Sequence, residues 1–254
     1  MSFRAIRILF LLTLLAAAAG MTYWESTVVR NWLRPLDVTI YPVNGDGTAE
    51  VDAYIAGLKQ DDFQEIGRFI VSQSERYRGK DLPPVNIRLA GEITAMPPAP
   101  PQGRHSPFSA ILWSLGLRYY AFEHTPFWGS LGAVRLFVVY HQGEDGKPLQ
   151  HSLGLHKGLV GVVHAFALNK QNAQNNVVIT HELFHALGAS DKYDAANQPI
   201  HPEGFAEPGE EPRYPQQAAE IMAGRIPVRP ELARIPAGLA ECMVGYKTAW
   251  EINW

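Results

Sequence analysis

The stretch Val177-Val178-Ile179-Thr180-His181-Glu182-Leu183-Phe184-His185-Ala186-Leu187-Gly188-Ala189-Ser190-Asp191 decides how this chain is read. An apolar, β-branched run leads into His181-Glu182-Leu183-Phe184-His185, and polar residues Asn172–Asn176 before it supply capping groups for a helix. On that helix the two histidines lie four residues apart on one face, so both imidazoles reach the same cation. Zinc accepts neutral imidazole nitrogen and needs only three protein ligands when catalytic, with one position left for water. Glu182, beside the first ligand, is placed to take that water's proton, which makes metal-assisted peptide hydrolysis the natural reaction class. Gly188 then offers a residue able to take positive φ and turn the chain back.

With Asp191 included, the segment resembles the metzincin signature H-E-x-x-H-x-x-G-x-x-H with its last histidine replaced by aspartate, the variant of snapalysin-type peptidases. The resemblance spans about residues 158–225. It implies an α+β zincin fold with a mixed twisted sheet, an active-site helix, a methionine turn and a C-terminal helix. It also implies a zinc site with His181, His185 and Asp191 as metal ligands, and Glu182 as the catalytic base. Ala219-Glu220-Ile221-Met222-Ala223-Gly224 is similar to the family's methionine turn, with Met222 packing beneath the site, although its distance from Asp191 implies an inserted loop. Gly161–Phe166 is placed like the edge strand that lines the clan's substrate cleft, where an extended peptide binds by strand addition.

Alternatives remain around this centre. His201, Glu203, Glu207, Glu210, Glu211 and Glu220 are rivals for the third ligand, but Pro202, Pro208 and Pro212 argue against a ligand-bearing helix in that segment. Tyr193 and Tyr214 are both candidates to stabilise an oxyanion, and spacing does not select between them. His164 reads as a packed strand histidine or as a structural-metal ligand.

Outward from the motif, Asp37–Val43 and Val85–Ile93 have strand character, as do Ala133–His141, expected at the centre of a sheet, and Gly158–Leu168. Apolar spacing predicts helix between Ala49 and Tyr77, with a cap or break at Asp61-Asp62, and again over Pro236–Trp254. The prolines from Pro97 to Pro107 make a loop. Phe108–Trp128 is rich in aromatics, begins as a helix, and serves the core or faces a substrate or membrane.

At the N-terminus, Arg4 and Arg7 precede an uncharged run from Ile8 to Met21. This is the pattern of an export signal, and it sets residues 1–24 aside as a signal peptide or membrane anchor, with residues 25–254 forming one metallopeptidase domain. Anchoring would run through residues 5–24. Either way the bulk of the chain is expected on the periplasmic side of an inner membrane or secreted. A net charge of −3 argues against a nucleic-acid partner and leaves a peptide or protein as the expected substrate. Cys242 is the one cysteine, so no intrachain disulfide forms. The rival reading is a membrane-tethered binding or assembly module that keeps the fold without turnover, although such a module has no need of Glu182.

Overall fold

A computed structural model of the chain describes residues 3–80, 83–101, 107–126, 132–143, 153–154 and 159–254. Gly158 of the last expected long strand, and Phe127 and Trp128 of the aromatic stretch, lie outside them.

The chain forms a mixed α+β fold around a mostly parallel sheet. The first helix, α1 (Phe3–Arg30), is followed by β1 (Leu36–Asn44), α2 (Ala49–Gly57), α3 (Gln64–Arg78) and β2 (Val85–Leu89). Next come α4 (Pro107–His124), β3 (Val134–His141), β4 (Leu153–Gly154), β5 (Val160–Phe166) and α5 (Asn172–Leu187). The last part holds the short strands β6 (Ala219–Glu220), β7 (Ile226–Arg229), β8 (Leu232–Arg234) and β9 (Cys242–Met243), then α6 (Tyr246–Glu251). The main sheet has the order β2-β1-β3-β5-β4, parallel except for antiparallel β4 at the edge.

β3 is central because both of its faces are apolar, as a strand covered on both sides requires. Leu136, Val138 and Tyr140 point into the larger core, formed with α2, α3 and α5. Phe137 and Val139 point the other way, onto Leu117, Tyr120 and Ala121 of α4. This period-two alternation recurs in β5, where Val163 and Ala165 face the larger core and Val160 and Val162 the smaller.

Several boundaries differ from the sequence reading. Between α2 and α3, Asp62 is the break: its carboxylate accepts from the Lys59 amide and starts a short 3-10 turn, Gln60–Phe63. Asn172–Asn176 do not precede the helix that carries His181 and His185 but form its first turns. Their side chains are spent on tertiary contacts instead: Asn172 accepts from Tyr54, Asn175 brackets the Phe166 backbone, and Asn176 donates to the Asp62 carbonyl. The helix expected over Pro236–Trp254 shrinks to α6, since Cys242-Met243 pairs with Ala219-Glu220 as a strand. Gly245 could not be another residue without strain, because an added Cβ would lie 3.0 Å from the Glu220 side chain.

α1 runs without interruption past residue 24, and Val29 and Trp32 beyond it are buried in the core. Trp32 donates to the Ile252 carbonyl at 2.7 Å and packs on Trp254, whose ring also meets Phe184 edge-on. The segment that follows α1 thus meets the last residues, Ile252 and Trp254, behind α5. Along α4, by contrast, Phe108, Ile111, Leu112, Leu115, Tyr119 and Phe122 form an exposed apolar stripe. Among the described residues no helix is long and apolar enough to cross a membrane.

Phe184 sits between His181 and His185 in sequence, fully buried between the sheet and Trp254. Phe184→Ala is therefore expected to lower stability by about 3–5 kcal/mol, read from urea unfolding followed by tryptophan fluorescence.

Candidate metal centre

α5 is held rigidly before its histidines begin. Asn175 occupies both backbone groups of Phe166, and Val177, Ile179, Leu183 and Leu187 bury its inner face against the sheet. His181 and His185 then lie one turn apart with their rings edge to face, centroids 4.6 Å apart.

Each imidazole is fixed through its Nδ1. His181 Nδ1 lies 3.0 Å from the Ile221 carbonyl and His185 Nδ1 lies 2.8 Å from the Ala189 carbonyl. A carbonyl only accepts, so each Nδ1 carries the proton and each Nε2 keeps its lone pair. Both Nε2 atoms meet one oxygen, Asp191 Oδ1, at 3.2 and 3.0 Å. Two donors on a tetrahedral ion with bonds near 2.0–2.2 Å lie roughly 3.4 Å apart, within a few tenths of an ångström of these spacings. The donor set therefore fits a small divalent cation.

Glu182, beside them and nearly fully buried, also lies within 4.8 Å of the two imidazole nitrogens. His181, Glu182 and His185 thus form a group able to hold a metal ion. The two carboxylates contrast in setting. Asp191, 42% exposed, touches both Nε2 atoms directly, and that contact favours Asp191 over Glu182 as the third donor.

Asp191 reaches this position through a chain of constraints. Gly188 at φ 111° ends the helix, with its amide and that of Ala189 turned back onto His185 and Phe184 carbonyls. The Ser190 amide and hydroxyl both donate to Glu251 on α6. Lys192, with only 2% of its side chain exposed, bonds the Ser190 carbonyl and pairs with Glu251 at 2.8 Å. The Lys192 amide also donates to the Met222 carbonyl. Nothing in the sequence pattern singled out Lys192 or Glu251, because their partnership spans 59 residues.

Glu220, a rival ligand in the sequence reading, has a different task. Its fully buried carboxylate accepts from the Met222, Ala223 and Gly245 amides and the Thr248 hydroxyl. Burial pushes its pKa up, against the pull of these donors and of Lys192. It shapes the turn Glu220–Gly224, closed by Gly224 at φ 64°, and so aims the Ile221 carbonyl at His181. Met222 is wholly buried, as expected. The other rivals stay in the exposed segment: His201 packs on Phe205 and contacts the Pro208 carbonyl.

Of the two tyrosines, Tyr193 adjoins the centre, its ring stacked on His181 at 6.3 Å. Burial, then the charges of Asp191 and Glu182, push its pKa up to about 12, so the phenol keeps its proton at neutral pH. Tyr214 packs instead against Phe205.

A cleft of about 320 Å³ opens beside His181, Glu182 and Tyr193 and runs along α5 toward Gln171. His164 lines it and is hydrogen-bonded as well as packed, as expected of a strand histidine. His164 Nδ1 lies 2.9 Å from His141 Nε2, and His141 Nδ1 lies 2.7 Å from Asp46. Burial and His141 together lower the His164 pKa to about 4. His141 and Asp46 went unnoticed in the sequence because strand register brings them together. Nor is β5 the free edge that the sequence suggested. β4 pairs with Gly161 and Val162, and Asn175 takes the outer backbone groups of Phe166.

Comparison with known protein families and with curated proteins finds no match for this chain.

Metal affinity should fall as pH drops. Burial alone would lower the His181 pKa, but Asp191, Glu182 and the Ile221 carbonyl outweigh it and raise the value in the metal-free protein. That pairing stabilises the metal-free fold fully below the ordinary imidazole pKa, and the benefit is lost as pH rises through the raised value. Metal needs the deprotonated ring. The thermal shift produced by zinc is thus expected to be large at pH 8 and to shrink steadily toward pH 6. Glu220→Ala should leave the Met222 and Gly245 amides and the Thr248 hydroxyl without their acceptor, costing about 3 kcal/mol or more in urea unfolding. Zinc affinity in a chelator competition should fall about 10- to 100-fold with it, through the displaced Ile221 carbonyl.

Proposed function

We propose that this chain is a zinc-dependent peptidase of metzincin type, exported across a membrane, that hydrolyses peptide bonds in a peptide or protein substrate. The observation that carries the reading is the meeting of two Nε2 lone pairs and one carboxylate oxygen, with a second, buried carboxylate alongside. His181, His185 and Asp191 would hold the ion. When bound, zinc supplies Lewis acidity, lowering the pKa of a water and polarising a carbonyl.

The chain's own groups supply the rest. Glu182, fixed on a rigid helix beside the two imidazoles, takes a proton from the attacking water and passes it to the leaving amine. Tyr193 keeps its phenolic proton and donates to the oxyanion as it develops. The cleft of about 320 Å³ beside them would receive the substrate and draw the reacting bond out of bulk water. Neither histidine is free to rotate, because each Nδ1 is committed to backbone.

A second reading, the tethered module without turnover, draws support from the stripe on α4, where six large apolar side chains stand exposed. The apolar side chains of Ile8–Leu12 on α1 are exposed as well. The two readings share a chain that crosses a membrane by export and part at Glu182.

With the zinc-loaded full chain, hydrolysis of a broad peptide library is the deciding measurement. Glu182→Gln should retain about one zinc per chain and lose at least 100-fold in kcat/KM. Asp191→Asn should weaken zinc binding itself. A wild type that holds zinc yet cleaves nothing faster than Glu182→Gln would instead support the tethered module.

A further inference from the structure

Arg225 follows the turn at Gly224 and lines the same cleft as Glu182 and Tyr193. It is half-buried, and no carboxylate among the described residues pairs with it. Its neighbours in the fold behave otherwise. Lys192, more deeply buried, is matched by Glu251, and the more exposed Arg234 is matched by Glu241. A guanidinium stays charged at any physiological pH, and its planar fork fits a carboxylate through two parallel hydrogen bonds. Among the described residues that line the cleft the one carboxylate is Glu182, which belongs to the group able to hold a metal ion. An unmatched cation in a low-dielectric cleft sets a local positive potential that an anionic ligand group satisfies.

We propose that Arg225 is a specificity-determining residue that receives a substrate carboxylate, so that the preferred substrates are acidic peptides. The proposal rests on the peptidase reading and adds the substrate class. The carboxylate has two sources in a peptide, an aspartate or glutamate side chain and a free C-terminus. Both present the same planar anion to the same fork. Gln171, Gln174 and Val178 continue the wall along α5, uncharged and without a competing acid.

The test uses zinc-loaded full-length Glu182→Gln protein, which holds peptides without turning them over, and reads binding by calorimetry. Four matched peptide sets are compared: internal Asp or Glu against Asn or Gln, and free C-termini against amidated ones. Acidic peptides are expected to bind roughly 10- to 100-fold more tightly than their neutral partners. That ratio should collapse toward one with Arg225→Gln and be partly kept with Arg225→Lys. Gain on the internal acids alone assigns a side-chain subsite, and gain on free C-termini alone assigns a terminal-carboxylate subsite. If Arg225→Gln weakens all peptides equally and leaves the ratio unmoved, the residue is structural and the assignment is overturned. Binding without acid preference overturns the assignment alone, whereas failure of every peptide to bind overturns the peptidase reading with it.

Discussion

Both histidines of the candidate metal centre give their Nδ1 proton to a backbone carbonyl, and much of the surrounding structure serves to keep those two carbonyls still. The Ala189 carbonyl is set by the helix end, where Gly188 takes a left-handed conformation that a side chain would resist. The Ile221 carbonyl is set from outside the helix, by a turn shaped around the buried Glu220. A ligand histidine fixed only at its Cβ would sample several rotamers. One fixed at Nδ1 as well offers its Nε2 lone pair in a single direction.

Two buried or nearly buried charges do this positioning, and they do it in different ways. Glu220 is surrounded by donors and has no close salt-bridge partner, so four hydrogen bonds offset its desolvation. Lys192 and Glu251 form an ion pair that is also bonded to Ser190 on both partners. Neither arrangement is a strong source of stability on its own, since desolvation consumes much of the gain. Their value is geometric. The first ties the methionine-containing turn to α6, and the second ties the Asp191 segment to the same helix, so two loops far apart in sequence share one anchor.

The motif and its surroundings differ sharply in how legible they were. The meeting of His181, Glu182 and His185 could be read because helix geometry relates them within five residues, whereas Asp191 entered through the resemblance of the segment that follows Gly188. The central position of β3 could be read because its apolar character on both faces leaves no solvent side. Asn172–Asn176 misled, since Asn favours caps on propensity, and only the packed sheet shows that Asn175 serves the Phe166 backbone. The short C-terminal helix misled too. Its apolar spacing fits a longer helix, but the pairing of Cys242-Met243 with Ala219-Glu220 and the close approach at Gly245 override that spacing.

Asp46, His141 and His164 show why the remainder was hidden. Asp46 follows β1, His141 ends β3, and His164 lies within β5; no local pattern joins them. Parallel pairing aligns Asn44 with Tyr140 and Val139 with His164, which carries the three side chains to one end of the sheet. Hydrogen bonds hold the Asp46 carboxylate below its usual pKa although burial works the other way, so it stays ionised and acts as the acceptor. His141 Nδ1 donates to it, and His141 Nε2 meets His164 Nδ1 at 2.9 Å. The position of a ring on the cleft wall is thereby tied to a carboxylate two strands away. Register, a property of the whole sheet, fixes this chemistry, and a single strand read alone does not contain it.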